Sequence, residues 1–125
     1  MNPTIRLAEI AHARSGDKGS HANIGVIAYT PAGFEFLGQY LTEMRMAQYL
    51  LPLKPRLVQR FAMPGILAYN FLVLDVLAGG ASRSLRTDSQ GKVLSTAVLE
   101  MPIPVPHNLD AMRPPVGSEQ KKNAR

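Results

Sequence analysis

Residues 14–30 read Arg14-Ser15-Gly16-Asp17-Lys18-Gly19-Ser20-His21-Ala22-Asn23-Ile24-Gly25-Val26-Ile27-Ala28-Tyr29-Thr30. From Ala22 onward the stretch is apolar and rich in β-branched residues, which predicts a strand over residues 22–30. Residues 4–13 predict the strand before it, with Ile5 and Leu7 on one face and Arg6 on the other. Between the two, Asp17-Lys18-Gly19 suits a hairpin whose glycine takes the left-handed position. Pro31-Ala32-Gly33 then ends the second strand. A chain that opens on a hairpin begins an antiparallel sheet, and the rest of the sequence has to cover it.

Downstream, Thr42 can cap a helix over about residues 43–51, where Met44, Ala47, Leu50 and Leu51 fall at helical spacing and Pro52 stops the run. Room remains for a short helix near Phe34–Tyr40. Residues 57–63 alternate as a third strand that closes at Pro64-Gly65. Leu67, Phe71, Leu74 and Ala78 mark a helical stripe ending at Gly79-Gly80. The same run also suits a buried strand, because Tyr69, Phe71 and Val73 are good strand formers. Ser82–Thr87 predicts a short strand, and Asp88 caps a final helix bearing Leu94, Ala97, Val98 and Met101, ended by Pro102 and Pro104.

The order β-β-α-β-α-β-α predicts an α+β domain over residues 1–104, a mostly antiparallel sheet with helices packed on one face. Such a sheet has a face needing cover, from the domain's own helices or from a second subunit. Residues 105–125, with prolines at 106, 114 and 115, predict a mobile or partner-bound tail.

Composition narrows the classes. The chain has 125 residues, 46% hydrophobic and 18% charged, which describes one globular domain and no disordered chain. No apolar run reaches the roughly 20 residues of a membrane span. The start, Met-Asn-Pro-Thr-Ile-Arg, lacks a signal-peptide core, so a cytoplasmic location is expected. The absence of cysteine removes disulfides, thiolate nucleophiles and cysteine-held zinc. The histidines at 12, 21 and 107 have no metal-ligand spacing, so no metal or other cofactor is expected. The net charge of +5 is shared with the tail, where Arg113, Lys121, Lys122 and Arg125 face Asp110 and Glu119. That leaves too small a basic excess on the core to predict nucleic-acid binding.

The polar groups within residues 14–25 have two readings. They form an anion cradle, in which Arg14, Ser15, Gly16, Asp17, Lys18, Gly19 and Asn23 hold a carboxylate or phosphate through converging amides and cations. Otherwise they are a plain hairpin turn with solvated charges. The sequence is not a Walker A loop and carries no dinucleotide fingerprint. A second cluster, from Gly79-Gly80 through Arg86, Asp88 and Lys92, places cations near a predicted helix start, where anions are favoured. Its plain reading is a helix cap, a strand and a capping Asp88. Asn70, between Tyr69 and Phe71, either bonds the backbone or faces a ligand. The pairs Ser15–His12 and Ser20–His21 have the residue types of a nucleophile and base, but chain adjacency is not triad geometry.

Taken together, Ala13-Arg14-Ser15-Gly16-Asp17-Lys18-Gly19 and Ala22-Asn23-Ile24-Gly25-Val26-Ile27-Ala28 resemble the small C-terminal domain of the acyclic terpene utilisation AtuA-like proteins. The resemblance continues through Leu41-Thr42, Tyr69-Asn70-Phe71, Leu77-Ala78-Gly79-Gly80, Ser84-Leu85-Arg86 and Asp88 with Gly91-Lys92, over roughly residues 5–103. It differs at Tyr69, where a smaller aliphatic residue is expected, a change of packing more than of chemistry. The resemblance implies a ferredoxin-like α+β fold and a role in breaking down acyclic terpenoids or related acids as coenzyme A thioesters. It also implies a larger AtuA-like partner, since the small domain usually follows a larger one. No catalytic role is carried over to any residue.

Three functions follow from these features. The first is an accessory subunit whose anionic site uses Arg14 to Asn23 with Asn70, Arg86 and Lys92. The second is a self-sufficient small lyase or hydratase acting on an acyl or carboxylate substrate. The third is a non-catalytic binding module that closes its sheet face as a homo-oligomer.

Overall fold

The structure is a computed structural model that describes residues 3–18, 21–75 and 91–115. The described chain runs β1 (Thr4–Arg6), a 3-10 turn (Leu7–Glu9), β2 (Ala11–Lys18), β3 (His21–Ala28), α1 (Pro31–Tyr40), α2 (Glu43–Tyr49) and a 3-10 turn (Leu51–Leu53). It continues through β4 (Leu57–Met63), a 3-10 turn (Pro64–Ile66), β5 (Ala68–Leu74), α3 (Gly91–Leu99), β6 (Pro102–Pro104) and α4 (Leu109–Met112). The main sheet has the order β2-β3-β5-β4 with every pairing antiparallel, and β1 and β6 form a separate ribbon. This is the expected α+β architecture.

β3 sits at the centre because its composition suits it. Ala22, Ile24, Val26 and Ala28 are buried, and the residues between them are not. That period of two is what a strand covered on one face requires. β5 has the same pattern in Tyr69, Phe71 and Val73. The helical stripe expected over residues 67–78 is therefore a strand through Leu74, as the second reading of that run had it. Leu67 (φ 57°) and Asp75 (φ 61°) bracket β5 in the left-handed region, which breaks a helix at both ends. Pairing with β3 and β4 satisfies its backbone on both sides.

The first strand is also shorter than expected. The turn at Leu7–Glu9 splits it, so Leu7 and Ile10 both point into the core, and the Leu7 N–H donates to the Met101 carbonyl at 2.9 Å. Pro102 and Pro104, expected to end the last helix, lie in β6 opposite Arg6 and Thr4. The short two-stranded ribbon tolerates their missing N–H groups.

The helices start where their caps dictate. Thr30 Oγ1 accepts from the Gly33 N–H at 3.1 Å, and Pro31 opens α1. Thr42 Oγ1 accepts from the Arg45 N–H at 3.2 Å and opens α2, the cap expected from sequence. α2 ends at Tyr49, and Pro52 falls in the turn after it. The buried side chains Leu37, Met46, Leu94 and Val98 of α1, α2 and α3 join Ile24, Val26, Phe71 and Val73 in one core.

β4 is an edge strand, and α2 partly blocks that edge. The backbone N–H of Arg60 donates to Glu43 Oε2 at 2.8 Å. The Arg60 guanidinium donates to the Gly38 and Leu41 carbonyls at 3.0 and 2.8 Å, tying the end of α1 to the sheet. In the segment expected to be a tail, Met112 of α4 is buried and Arg113 donates to Glu9 at 3.0 Å. The strand expected at Ser82–Thr87 and the cap Asp88 lie outside the described residues.

Candidate functional site

Residues directly opposite in an antiparallel ladder share a face. The pairings Ile24 with Phe71 and Val58 with Val73 therefore define the face buried under the helices. The alternate residues line the other face in rows that cross all four strands. One row runs Arg14, Gly25, Asn70, Phe61. The next rows are Gly16, Asn23, Leu72, Gln59 and His12, Ile27, Ala68, Met63.

Of the sequence candidates, Arg14, Gly16, Asn23 and Asn70 thus meet on the face that no described helix covers. Arg14 and Asn23 are exposed and Asn70 is half-buried. Two glycines leave the floor between them bare. A Cβ at Gly16 would meet nothing within 4 Å, and one at Gly25 only the Arg14 carbonyl and Asn70 Oδ1, each at 3.9 Å. Strands lie about 4.8 Å apart, so Arg14 and Asn70 stand about 10 Å apart on either side of that floor. A cation and two side-chain amides around a flat backbone patch can hold a carboxylate or phosphate.

Lys18 holds a register position on the same side, and the remaining candidates are placed differently. Ser15 is opposite Ile24 and so lies on the helix-covered face, away from Arg14. By the same parity Ser15 and His12 lie on opposite faces of β2, which rules them out as a nucleophile and base in contact. Asp17 and Lys18 stand opposite Ala22 and His21 in the ladder, and Lys92 lies in the first turn of α3, which packs against β2. Gly19, Ser20 and Arg86 lie outside the described residues. Because β2 stays extended through Lys18, its successive amides point in alternate directions. The converging N–H groups expected of the cradle are therefore not formed over residues 16–18, and its chemistry falls to side chains.

Sequence reading overlooked the β4 side of this face. Leu57, Phe61 and Met63 are 44%, 50% and 45% exposed. Their alternation in residues 57–63 was visible, but which parity faced outward was not. At the end of the sheet, His21 Nδ1 accepts from the Asp75 N–H at 3.1 Å, and Arg56 pairs with the Asp75 carboxylate. His12 stacks on Tyr29 with ring centroids 5.4 Å apart.

A separate open groove of about 250 Å³ is lined by Tyr40, Arg45, Gln48, Tyr49, Met101 and Pro102. Two of its polar side chains, Arg45 and Tyr49, are engaged with the protein. Arg45 lies over the Tyr40 ring at 4.1 Å, and the Tyr49 hydroxyl donates to the Ala97 carbonyl at 2.5 Å. Burial, with a smaller contribution from the Glu100 carboxylate, raises the Tyr49 phenol above its ordinary value. Among the described residues, no three His, Cys, Asp or Glu side chains cluster to hold a metal ion. No described helix is long and apolar enough to cross a membrane.

No match was found among curated proteins or among solved structures. The family model of the AtuA ferredoxin-like domain matches residues 5–104. That span holds the hairpin, both central strands and the caps described above, and it ends at β6. This chain belongs to the AtuA ferredoxin-like domain family.

Proposed function

We propose that this domain is a cytoplasmic accessory component of an AtuA-like system that breaks down acyclic terpenoids or related organic acids as coenzyme A thioesters. Its contribution is an anion contact on the open sheet face, with Arg14 as the charge and Asn23 and Asn70 as amide partners. A larger AtuA-like protein is the partner that supplies catalysis. One observation carries this proposal: Arg14, Gly16, Asn23, Gly25 and Asn70 occupy neighbouring rows of one face that no described helix covers. The separation of Ser15 from His12 favours a binding role over turnover by the chain alone.

The test is a titration of isotope-labelled protein with an acyl-coenzyme A thioester, followed by backbone amide shifts. Shifts confined to residues 12–16, 23–27 and 68–72, and lost in Arg14→Ala, support the anion contact. Shifts elsewhere, or none, overturn it. Co-expression with a larger AtuA-like protein tests the partner by comigration on size exclusion. Turnover by the isolated chain would replace this proposal with the lyase or hydratase.

A further inference from the structure

Reversed about its midline, the open face sets a large side chain against a small residue at three of six positions, and large against large at Arg14–Phe61, Asn23–Leu72 and His12–Met63. Gly25 stands beside Asn70, Ala68 beside Ile27, and Gly16 lies in the same row as Gln59. Each row pairs a large side chain on one side of the sheet midline with a residue of little or no side chain on the other. The row through Gly25 also carries a cation at one end, Arg14, and a half-exposed aromatic ring at the other, Phe61. No carboxylate occurs in the three rows.

We propose that a second copy of this chain covers the open face, packed face to face about a two-fold axis parallel to the strands and running between β3 and β5. This operation keeps each row level and reverses it. Asn70 then lies over Gly25 of the second copy, Ile27 over its Ala68, and Gln59 over its Gly16. At these three positions a large group meets a small residue, of which Ala68 is already buried in the single chain; Asn23 lies over Leu72 and His12 over Met63, in a sandwich about 10 Å thick. Arg14 of each copy lies over Phe61 of the other, where a guanidinium is attracted to the ring face. The alternative in-plane axis, perpendicular to the strands, would stack β2 on β2 and bring Arg14 against Arg14 with no carboxylate between them.

The footprint favours a pair that is reversible. Four strands at about 4.8 Å spacing and seven residues at about 3.4 Å rise give a face of about 19 by 24 Å in plan. That is about 460 Å² per copy in plan, below the roughly 800 Å² per partner of a standard stable interface. The dimer is therefore expected to dissociate on dilution. In the pair, Gln59 and Asn70 of the second copy fill the floor at Gly16 and Gly25, so an anion held there competes with the dimer. That competition rests on the anion proposal, while the dimer does not.

The test uses the whole chain without ligand. Sedimentation across the micromolar range is expected to show a monomer–dimer equilibrium. Phe61→Lys sets like charges face to face with Arg14 and should weaken the dimer at least about tenfold, whereas Phe61→Glu supplies a counter-charge and should weaken it less. A thermal melt confirms that each variant folds. The chain has no cysteine, so Arg14→Cys mixed with Phe61→Cys can be joined by a short bismaleimide, and the mixed product is expected in preference to either self-linked product. A monomer at all concentrations, equal effects of the two Phe61 substitutions, or self-linked Arg14→Cys as the main product each overturns the proposal. Titration of the Phe61→Lys monomer with the acyl thioester reads the anion contact independently of the dimer.

Discussion

The Tyr69 hydroxyl fills the space that a side chain at Gly38 would occupy. A Cβ built on Gly38 would overlap it. The hydroxyl donates to the Phe34 carbonyl at 3.2 Å, the Phe34 ring stacks on Tyr69 with centroids 4.6 Å apart, and the Arg60 guanidinium lies 4.7 Å from the ring centre. A tyrosine therefore occupies a position expected to be smaller and aliphatic, because a glycine one helix away makes room for it.

Gly38→Ala is accordingly destabilising, although alanine is the better helix former. The gain of about 1 kcal/mol in helix propensity is outweighed by overpacking against a buried ring, typically about 1–3 kcal/mol. Tyr69→Phe removes the overlapping oxygen. Urea unfolding of the two single variants and the double variant should show Gly38→Ala costing less when Tyr69→Phe is already present, with a coupling of at least about 0.5 kcal/mol.

Arg60→Met keeps the apolar stem over Tyr69 and removes the guanidinium. The Gly38 and Leu41 carbonyls at the end of α1 lose their donor. A loss of about 1–3 kcal/mol in unfolding free energy is expected, since part-buried carbonyls are left unpaired. Arg60→Lys should recover only part of this, because one ammonium cannot reproduce the planar fork.

The caps give a smaller effect. Thr30→Ala and Thr42→Ala should each cost about 1 kcal/mol, read as a shift in denaturation midpoint with an unchanged slope. The two sites share no partner, so their effects should add.

Tyr49 sets an alkaline limit. Its folded-state value is raised above 10.0, so the folded protein holds the phenolic proton more tightly than the unfolded chain does. That contribution is complete below pH 10.0 and is lost as pH rises through the folded-state value. Lysines titrate in the same range, so the measurement is the difference between wild type and Tyr49→Phe in thermal melts. The wild-type advantage should shrink above pH 10.0 and stay constant at neutral pH.

Gly25→Ala separates the site from the fold. Its Cβ meets only atoms at 3.9 Å, an ordinary contact, so stability should stay within about 1 kcal/mol of wild type. The floor beside Arg14 and Asn70 becomes raised, and affinity for the acyl thioester should fall about tenfold. Unchanged affinity would place the anion elsewhere.

Much of the fold was legible in local sequence. The hairpin, the Thr42 cap and the alternation of residues 57–63 follow from residue types within a few positions of each other. β5 was ambiguous because Leu67, Phe71 and Leu74 fit a helix while Tyr69, Phe71 and Val73 fit a strand. Pairing with strands distant in sequence decided between them. The split at Leu7–Glu9 and the ribbon with β6 were missed because both depend on the contact between Leu7 and Met101. At the site, Arg14, Asn23 and Asn70 were recognisable as polar groups out of place. Their alignment on one face depends on register, which no local pattern contains. Register also separates Ser15 from Arg14, its neighbour in the chain.

Glu43 has a consequence for how this protein can associate. By accepting the outward N–H of Arg60 it occupies a backbone donor that a further strand would need. Lateral extension of the sheet past β4, the route to ribbons and fibrils, would have to expel a charged group first. Contact through the broad surface carries no such obstacle. On the β4 side, a charge already in place therefore makes an added strand costly.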